Sequence, residues 1–293
     1  KKNIIDKIIQ VTDQPCFDMT RRLAKEEGIL VGGSCGAAVV GALRYAKENN
    51  SGPEDVFVIL LPDSGRGYLK KVFSDVYFPS HSEMDITDKK AVNKIILGYK
   101  PDALIHAAAF VDIRGCEKDK KKAWNTNVEG TQNIVNALKK INNDCYLIYI
   151  STACVFAGEH EKYYTEYDTP SPKNYYSFTK LCGELVTRQY ANTCIIRTNF
   201  VPKGQWKYPK AFTDRFGTYL FTDNAAQGIK DVFDKKETGI IHIAGNKRIS
   251  MYELALLAGS KNVGKMTLDE YKGPPVTVDM SLSTKRWKKY KIN

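Results

Sequence analysis

In Tyr146-Leu147-Ile148-Tyr149-Ile150-Ser151-Thr152, the first five residues read as a buried strand, with two hydroxyls at its end. Aromatic and β-branched residues without a polar interruption suit a strand covered on both faces, as in a parallel sheet. Working outward, the same kind of run recurs at Ala103-Leu-Ile-His-Ala107, Cys194-Ile-Ile-Arg197 and Gly239-Ile-Ile-His-Ile243. Between the first two strands, Ala123 to Lys140 is helical and long enough for the crossover that parallel pairing needs. Asp85-Ile86-Thr87-Asp88 predicts a cap for a helix over Lys89 to Leu97. Ser250 with Glu253 three residues on predicts a capping box. Nearer the start, Ile29-Leu30-Val31 predicts a short strand ending at Gly32-Gly33, residues 36–47 a helix packed through small residues, and Val56 to Leu61 a buried strand. Strands alternating with helices predict an α/β chain with a mainly parallel sheet and flanking helices.

Composition narrows the class. With 293 residues, 43% apolar and 26% charged, the chain fits one large or two small globular domains. No apolar run approaches the ~18 residues that span a bilayer, and the first residues, Lys1-Lys2-Asn3-Ile4-Ile5-Asp6, do not read as a signal peptide, so no membrane partner is expected. The net charge is +11 from 44 basic and 33 acidic residues. Its runs, such as Lys118-Asp119-Lys120-Lys121-Lys122, read as solvated faces, so nucleic acid is not the expected partner; anionic nucleotides suit the same charge. Seven cysteines form no C-x-x-C pair. Cys35, Cys116, Cys154, Cys182 and Cys194 read as reduced core residues, and a cytoplasmic location follows. The four histidines lack metal-type spacing to any cysteine, so no metal site is expected.

Two ordered motif sets stand out. The first is Glu27-Gly28-Ile29-Leu30-Val31-Gly32-Gly33-Ser34-Cys35-Gly36, followed by Val58-Ile59-Leu60-Leu61-Pro62-Asp63-Ser64-Gly65-Arg66-Gly67. Within a first domain expected over residues 1–75, residues ~17–75 thereby resemble the C-terminal part of the cystathionine β-synthase and cysteine synthase catalytic domain. The family's Schiff-base lysine and phosphate loop lie upstream of the matched part. Pyridoxal phosphate is therefore not an expected cofactor, and β-replacement not an expected activity.

The second set is longer. It runs through Glu83-Met84-Asp85-Ile86-Thr87-Asp88, Lys100-Pro101-Asp102 before His106-Ala107-Ala108-Ala109, and Asn127-Val128-Glu129-Gly130-Thr131. Ser151-Thr152 and Val155-Phe156-Ala157-Gly158 follow, then Tyr176-Ser177-Phe178-Thr179-Lys180, Gly183-Glu184 and Ile196-Arg197-Thr198. Within a second domain expected over residues 76–293, residues ~82–293 thereby resemble the extended short-chain dehydrogenase/reductases, nearest the dTDP-4-dehydrorhamnose reductase group. The resemblance implies a Rossmann-like sheet with a small C-terminal substrate-binding part. It also implies NAD(P)H-dependent reduction of a 4-keto group on a nucleotide-linked deoxysugar.

The resemblance also assigns roles. A lone Tyr-x-x-x-Lys is weak among 17 tyrosines, but Tyr176 and Lys180 are the one such pair, and Tyr176 follows Thr152 by 24 residues. Spacing of four puts both side chains on one helix face. Tyr176 is expected to protonate the carbonyl oxygen and Thr152 to fix that oxygen. Lys180 is expected to lower the phenol's pKa and to hold the nicotinamide ribose. Asp85 and Ile86 match the family's adenine contacts, and Ala107 and Ala108 allow close approach of the cofactor, NADP or NAD. Asn127 is expected to brace the active-site helix. Ala153 and Cys154 replace the aspartate and tyrosine common in the family.

One departure matters. The family opens with a strand, a Gly-x-x-Gly-x-x-Gly turn and a helix, which hold the pyrophosphate. Here the β-synthase-like segment stands in that place. Two readings follow: the dinucleotide site is incomplete, or Gly33 and Gly36 supply a replacement turn between Ile29-Val31 and the next helix, with Val56–Leu61 as the second strand. Val39 then occupies the third glycine position. Incompleteness favours a non-catalytic nucleotide-binding or regulatory subunit, as with the β subunit of methionine adenosyltransferase; Thr152, Tyr176 and Lys180 favour catalysis. A third reading is a β-synthase remnant. The resemblance also allows for a homo-oligomer or a regulatory partner.

Overall fold

The structure is a computed structural model and describes residues 8–27, 33–59, 77–141, 144–159 and 161–292. The chain divides into two compact units, residues 1–80 and 81–293.

In the first unit two helices pack together, α1 (Asp13–Glu26) and α2 (Gly33–Glu48). They cross where Gly36 has no side chain: a Cβ there would stand 2.1 Å from the Cys16 carbonyl oxygen and 2.3 Å from Thr20 Oγ1. Ile29-Val31 lies outside the described residues, as do Leu60, Leu61, Asp63, Gly65 and Gly67. The described part of the predicted Val56–Leu61 strand corrects that expectation. Residues 56–59 form no strand, and Val56 and Val58 are 88% and 86% exposed. A run of β-formers without a neighbouring ladder has no partner for its backbone groups.

The second unit is built on a four-stranded parallel sheet in the order β1 (Ala103–His106), β2 (Tyr146–Thr152), β3 (Thr193–Thr198) and β4 (Gly239–Ile243). Register is continuous at the C-terminal end, where Thr152 pairs with Thr198 and Thr198 with Ile243. Alternate residues of β2 feed two cores. Leu147 joins Val92, Ile96, Ile134 and Leu138 on one face; Ile148 joins Ile196, Ile241 and Val232 on the other. The first face is covered by α3 (Lys89–Tyr99) and a helical run, α4 (Lys120–Trp124), a π-turn (Asn125–Glu129) and α5 (Gly130–Leu138). Asp88 caps α3 by accepting from Lys90 and Ala91 N–H.

Two further helices border the sheet, α6 (Tyr175–Thr187) and α7 (Thr222–Lys235). A third core lies beyond the C-terminal strand ends, where Phe156, Tyr164, Tyr219, Phe221 and Met280 pack with Leu254 of α8 (Met251–Leu257). The Ser250–Glu253 capping box forms at the start of α8. Cys16, Cys35, Cys116, Cys145, Cys154 and Cys194 are buried, while Cys182 is partly exposed. No helix among the described residues is long and apolar enough to cross a membrane.

Candidate active site

Thr152 closes β2, so its hydroxyl emerges at the C-terminal edge of the sheet, where parallel α/β folds place ligands. Asn174 caps α6 through a bond from Ser177 N–H and starts the helix beside that edge. The first turn of α6 carries Tyr176, whose buried phenol adjoins the Thr152 hydroxyl. Thr152 also accepts from Cys154 N–H at 3.1 Å and donates to Asn199 Oδ1 at 3.2 Å.

Lys180, one turn further along α6, is 3% exposed. Its ammonium donates to the Ile150 carbonyl at 2.8 Å and lies 4.1 Å from the centre of the Tyr149 ring. Burial pulls its pKa down to about 7, against an upward pull from the Glu184 carboxylate. Burial and the adjoining Cys154 thiol raise the phenol's pKa, and the neighbouring Thr152 hydroxyl pulls it back. Lys180 spends its charge on Ile150 and Tyr149, because a buried ammonium takes the acceptors nearest to it.

The helix is held in place from below. Glu184 on α6 takes Arg197 of β3 in a two-pronged pair, 2.9 Å from Nε and 2.7 Å from Nη2, and accepts the Ser151 hydroxyl at 2.6 Å. All three side chains are buried. Asn127 accepts from Phe110 N–H at 2.7 Å and donates to the Phe110 carbonyl and to Thr179 Oγ1. It thereby ties the segment after β1 to α6. Gly183 lets α6 approach β2 closely, since a Cβ there would meet Tyr149 Oη at 2.2 Å.

The remaining sequence-derived residues fall as follows. Ala107 and Ala108 are exposed just past β1. The Asp85 carboxylate accepts from Thr87 N–H and Oγ1 and lies 3.7 Å from His81 Nε2. Ile86 is 6% exposed and packs on Gly130, so its side chain serves the core, and its carbonyl accepts from Asn133 Nδ2 at 3.0 Å. Gly33 begins α2 and Gly36 sits in its first turn, in the first unit. Contact with α1 accounts for Gly36's missing side chain, where a pyrophosphate cradle was one of two readings. Asn199 and the Ser151–Glu184–Arg197 set were given no role by sequence reasoning. For the latter a signal existed: an arginine ending an apolar strand requires a buried partner.

Residues 67–265 match the family described as the RmlD substrate binding domain. The chain belongs to this family. Residues 2–63 match a second family, pyridoxal-phosphate dependent enzymes. The chain is 28% identical over 232 residues to the dTDP-4-dehydrorhamnose reductase of Aggregatibacter actinomycetemcomitans, spanning 72% of this chain and 76% of that protein. Among solved structures it resembles a hypothetical dTDP-4-dehydrorhamnose reductase from Sulfolobus tokodaii, with a TM-score of 0.60 and 33% identity over 71% of this chain and 81% of the other. It shares its fold with the Bacillus anthracis reductase crystallised with NADP, with a TM-score of 0.66 and 21% identity over 75% and 86% of the two chains. The N-terminal part is 41% identical over 85 residues to Dictyostelium discoideum cystathionine beta-synthase, which is 29% of this chain and 17% of that protein.

Proposed function

We propose that the second unit reduces the 4-keto group of a nucleotide-linked deoxysugar, using NADPH or NADH. The observation that carries this reading is the meeting of the Thr152 hydroxyl and the Tyr176 phenol at the strand ends, with a buried Lys180 one turn away. The nicotinamide end of a dinucleotide finds fitting groups. Lys180 keeps N–H donors beyond the one given to Ile150, and Ala107 and Ala108 leave open space past β1. Asp85 and the Ile86 backbone are the candidates at the adenine end.

Bound NAD(P)H would supply the hydride. Tyr176, held as a neutral phenol by burial, is the group with a proton to give to the sugar oxygen. Thr152 orients that oxygen by hydrogen bond. A protonated Lys180, brought forward from Ile150, would offset the negative charge left on Tyr176. The experiment is oxidation of NADPH or NADH with dTDP-4-dehydrorhamnose, followed by the loss of reduced-nicotinamide absorbance. Turnover that disappears in Tyr176→Phe supports the reading, and its absence in the native chain refutes it.

A second reading, a non-catalytic nucleotide-binding or regulatory subunit, is favoured by one observation. No glycine turn for a pyrophosphate is found among the described residues of the second unit, whose sheet ends at β1. Calorimetry decides between the two: nucleotide binding without turnover supports the regulatory role.

A further inference from the structure

Asn199 follows Thr198 at the C-terminal end of β3, beside Thr152 on the neighbouring strand. Its backbone carbonyl accepts from Leu220 N–H at 3.0 Å, which fixes the residue at that level. Its side-chain oxygen accepts the Thr152 hydroxyl at 3.2 Å. Its Nδ2 is buried and has no partner among the described residues. A buried amide that uses one end only is held for a reason other than hydrogen-bond satisfaction.

Thr152 has one proton to give and two lone pairs to offer. The proton goes to Asn199, and one lone pair takes Cys154 N–H. In this arrangement Thr152 has nothing to donate to an incoming oxygen. Half a turn of the Asn199 amide reverses the pattern: Nδ2 donates to Thr152, and the Thr152 proton is released toward a third oxygen.

We propose that Asn199 is a positioning residue whose amide sets the direction of the Thr152 hydroxyl proton, away from the reacting oxygen in one orientation and toward it in the other. The proposal rests on the reading of Thr152 and Tyr176 as a carbonyl-reducing site. No covalent bond changes; the Thr152–Asn199 hydrogen bond reverses, and the freed Thr152 proton makes a new one. Asparagine suits the task because its two ends match in shape and oppose in polarity. An ionised aspartate can only accept, and alanine does neither.

The test compares the native chain, Asn199→Asp and Asn199→Ala in NADPH oxidation with dTDP-4-dehydrorhamnose, separating kcat from KM across pH. Asn199→Asp is expected to lose at least about tenfold in kcat at neutral pH with KM little changed. Its rate recovers as pH falls through the pKa of the introduced carboxyl, which then carries a proton to donate; the native chain shows no such acid-side recovery. An Asp variant with native kcat and a native pH profile overturns the proposal and leaves the site reading standing.

A second readout needs no turnover. In nitrogen-15-labelled native protein the Asn199 side-chain amide is identified by its loss in Asn199→Ala. Its protons are expected to move downfield when dTDP-4-dehydrorhamnose is added, as Nδ2 becomes a donor. Unmoved amide signals while the sugar binds overturn the proposal. A native chain that neither binds nor reduces the sugar removes the site reading, and the proposal falls with it.

Discussion

The Lys180 ammonium is the costliest group in the site, because it is charged, buried and without a touching carboxylate. Its pKa falls from 10.5 to about 7. Between those values the unfolded chain holds a proton that the folded chain has released, so stability rises with pH through that window. Below about 7 the folded chain carries the full cost of charging. Lys180→Met keeps the length and removes the charge, so its Tm at neutral pH is expected to rise by a few degrees while hydride transfer is lost. Scanning calorimetry checks it; a lower Tm would mean that the bond to Ile150 outweighs the burial. Titration of lysine side chains by NMR should likewise find Lys180 changing charge near neutrality, well apart from the surface lysines. Sequence order pointed to Tyr176 and Lys180 because their neighbours stood in the family's order. It could not show where Lys180 spends its charge, since that depends on which acceptor, Ile150 or Tyr176, lies nearer once α6 packs. Asn199 was not legible, because one asparagine after Arg197-Thr198 carries no spacing signal.

Elements carry these residues, and two contacts fix α6 against the sheet. Glu184→Gln leaves the buried Arg197 guanidinium without its counter-charge and loosens Ser151, at an expected cost of about 3–5 kcal/mol by denaturant unfolding. A loss near that of an exposed pair would show that the bond is ornamental. Gly183→Val forces a side chain into Tyr149 and is expected to lower both stability and turnover. The strands were readable because they are apolar runs: β4 matches its predicted bounds, and β2 extends through Ser151 and Thr152. The predicted helix over Ala123–Lys140 holds a π-turn at Asn125–Glu129, which apolar periodicity does not reveal. That turn contains Asn127, whose side chain is bonded to Phe110 and Thr179. Val56–Ile59 has strand composition and no strand, because pairing is a property of two segments.

At the scale of the molecule, two family signatures share one chain, and the glycines of the first were candidates to serve the second. Gly36 separates these roles. Its Cβ position is filled by Cys16 and Thr20 of α1, so Gly36→Ala is expected to unsettle the helix pair in the first unit and leave NADPH affinity unchanged. Limited proteolysis and fluorescence titration check both halves; a Gly36→Ala chain with its helix pair intact and nucleotide affinity lost would restore the replacement turn. The central claim concerns the second unit, and isotope transfer tests it most directly. With NADPH deuterated at the transferring position and dTDP-4-dehydrorhamnose as acceptor, mass spectrometry of the product should find the deuterium on the former carbonyl carbon, and none in Tyr176→Phe. A product without deuterium, or equal transfer by Tyr176→Phe, would contradict the account.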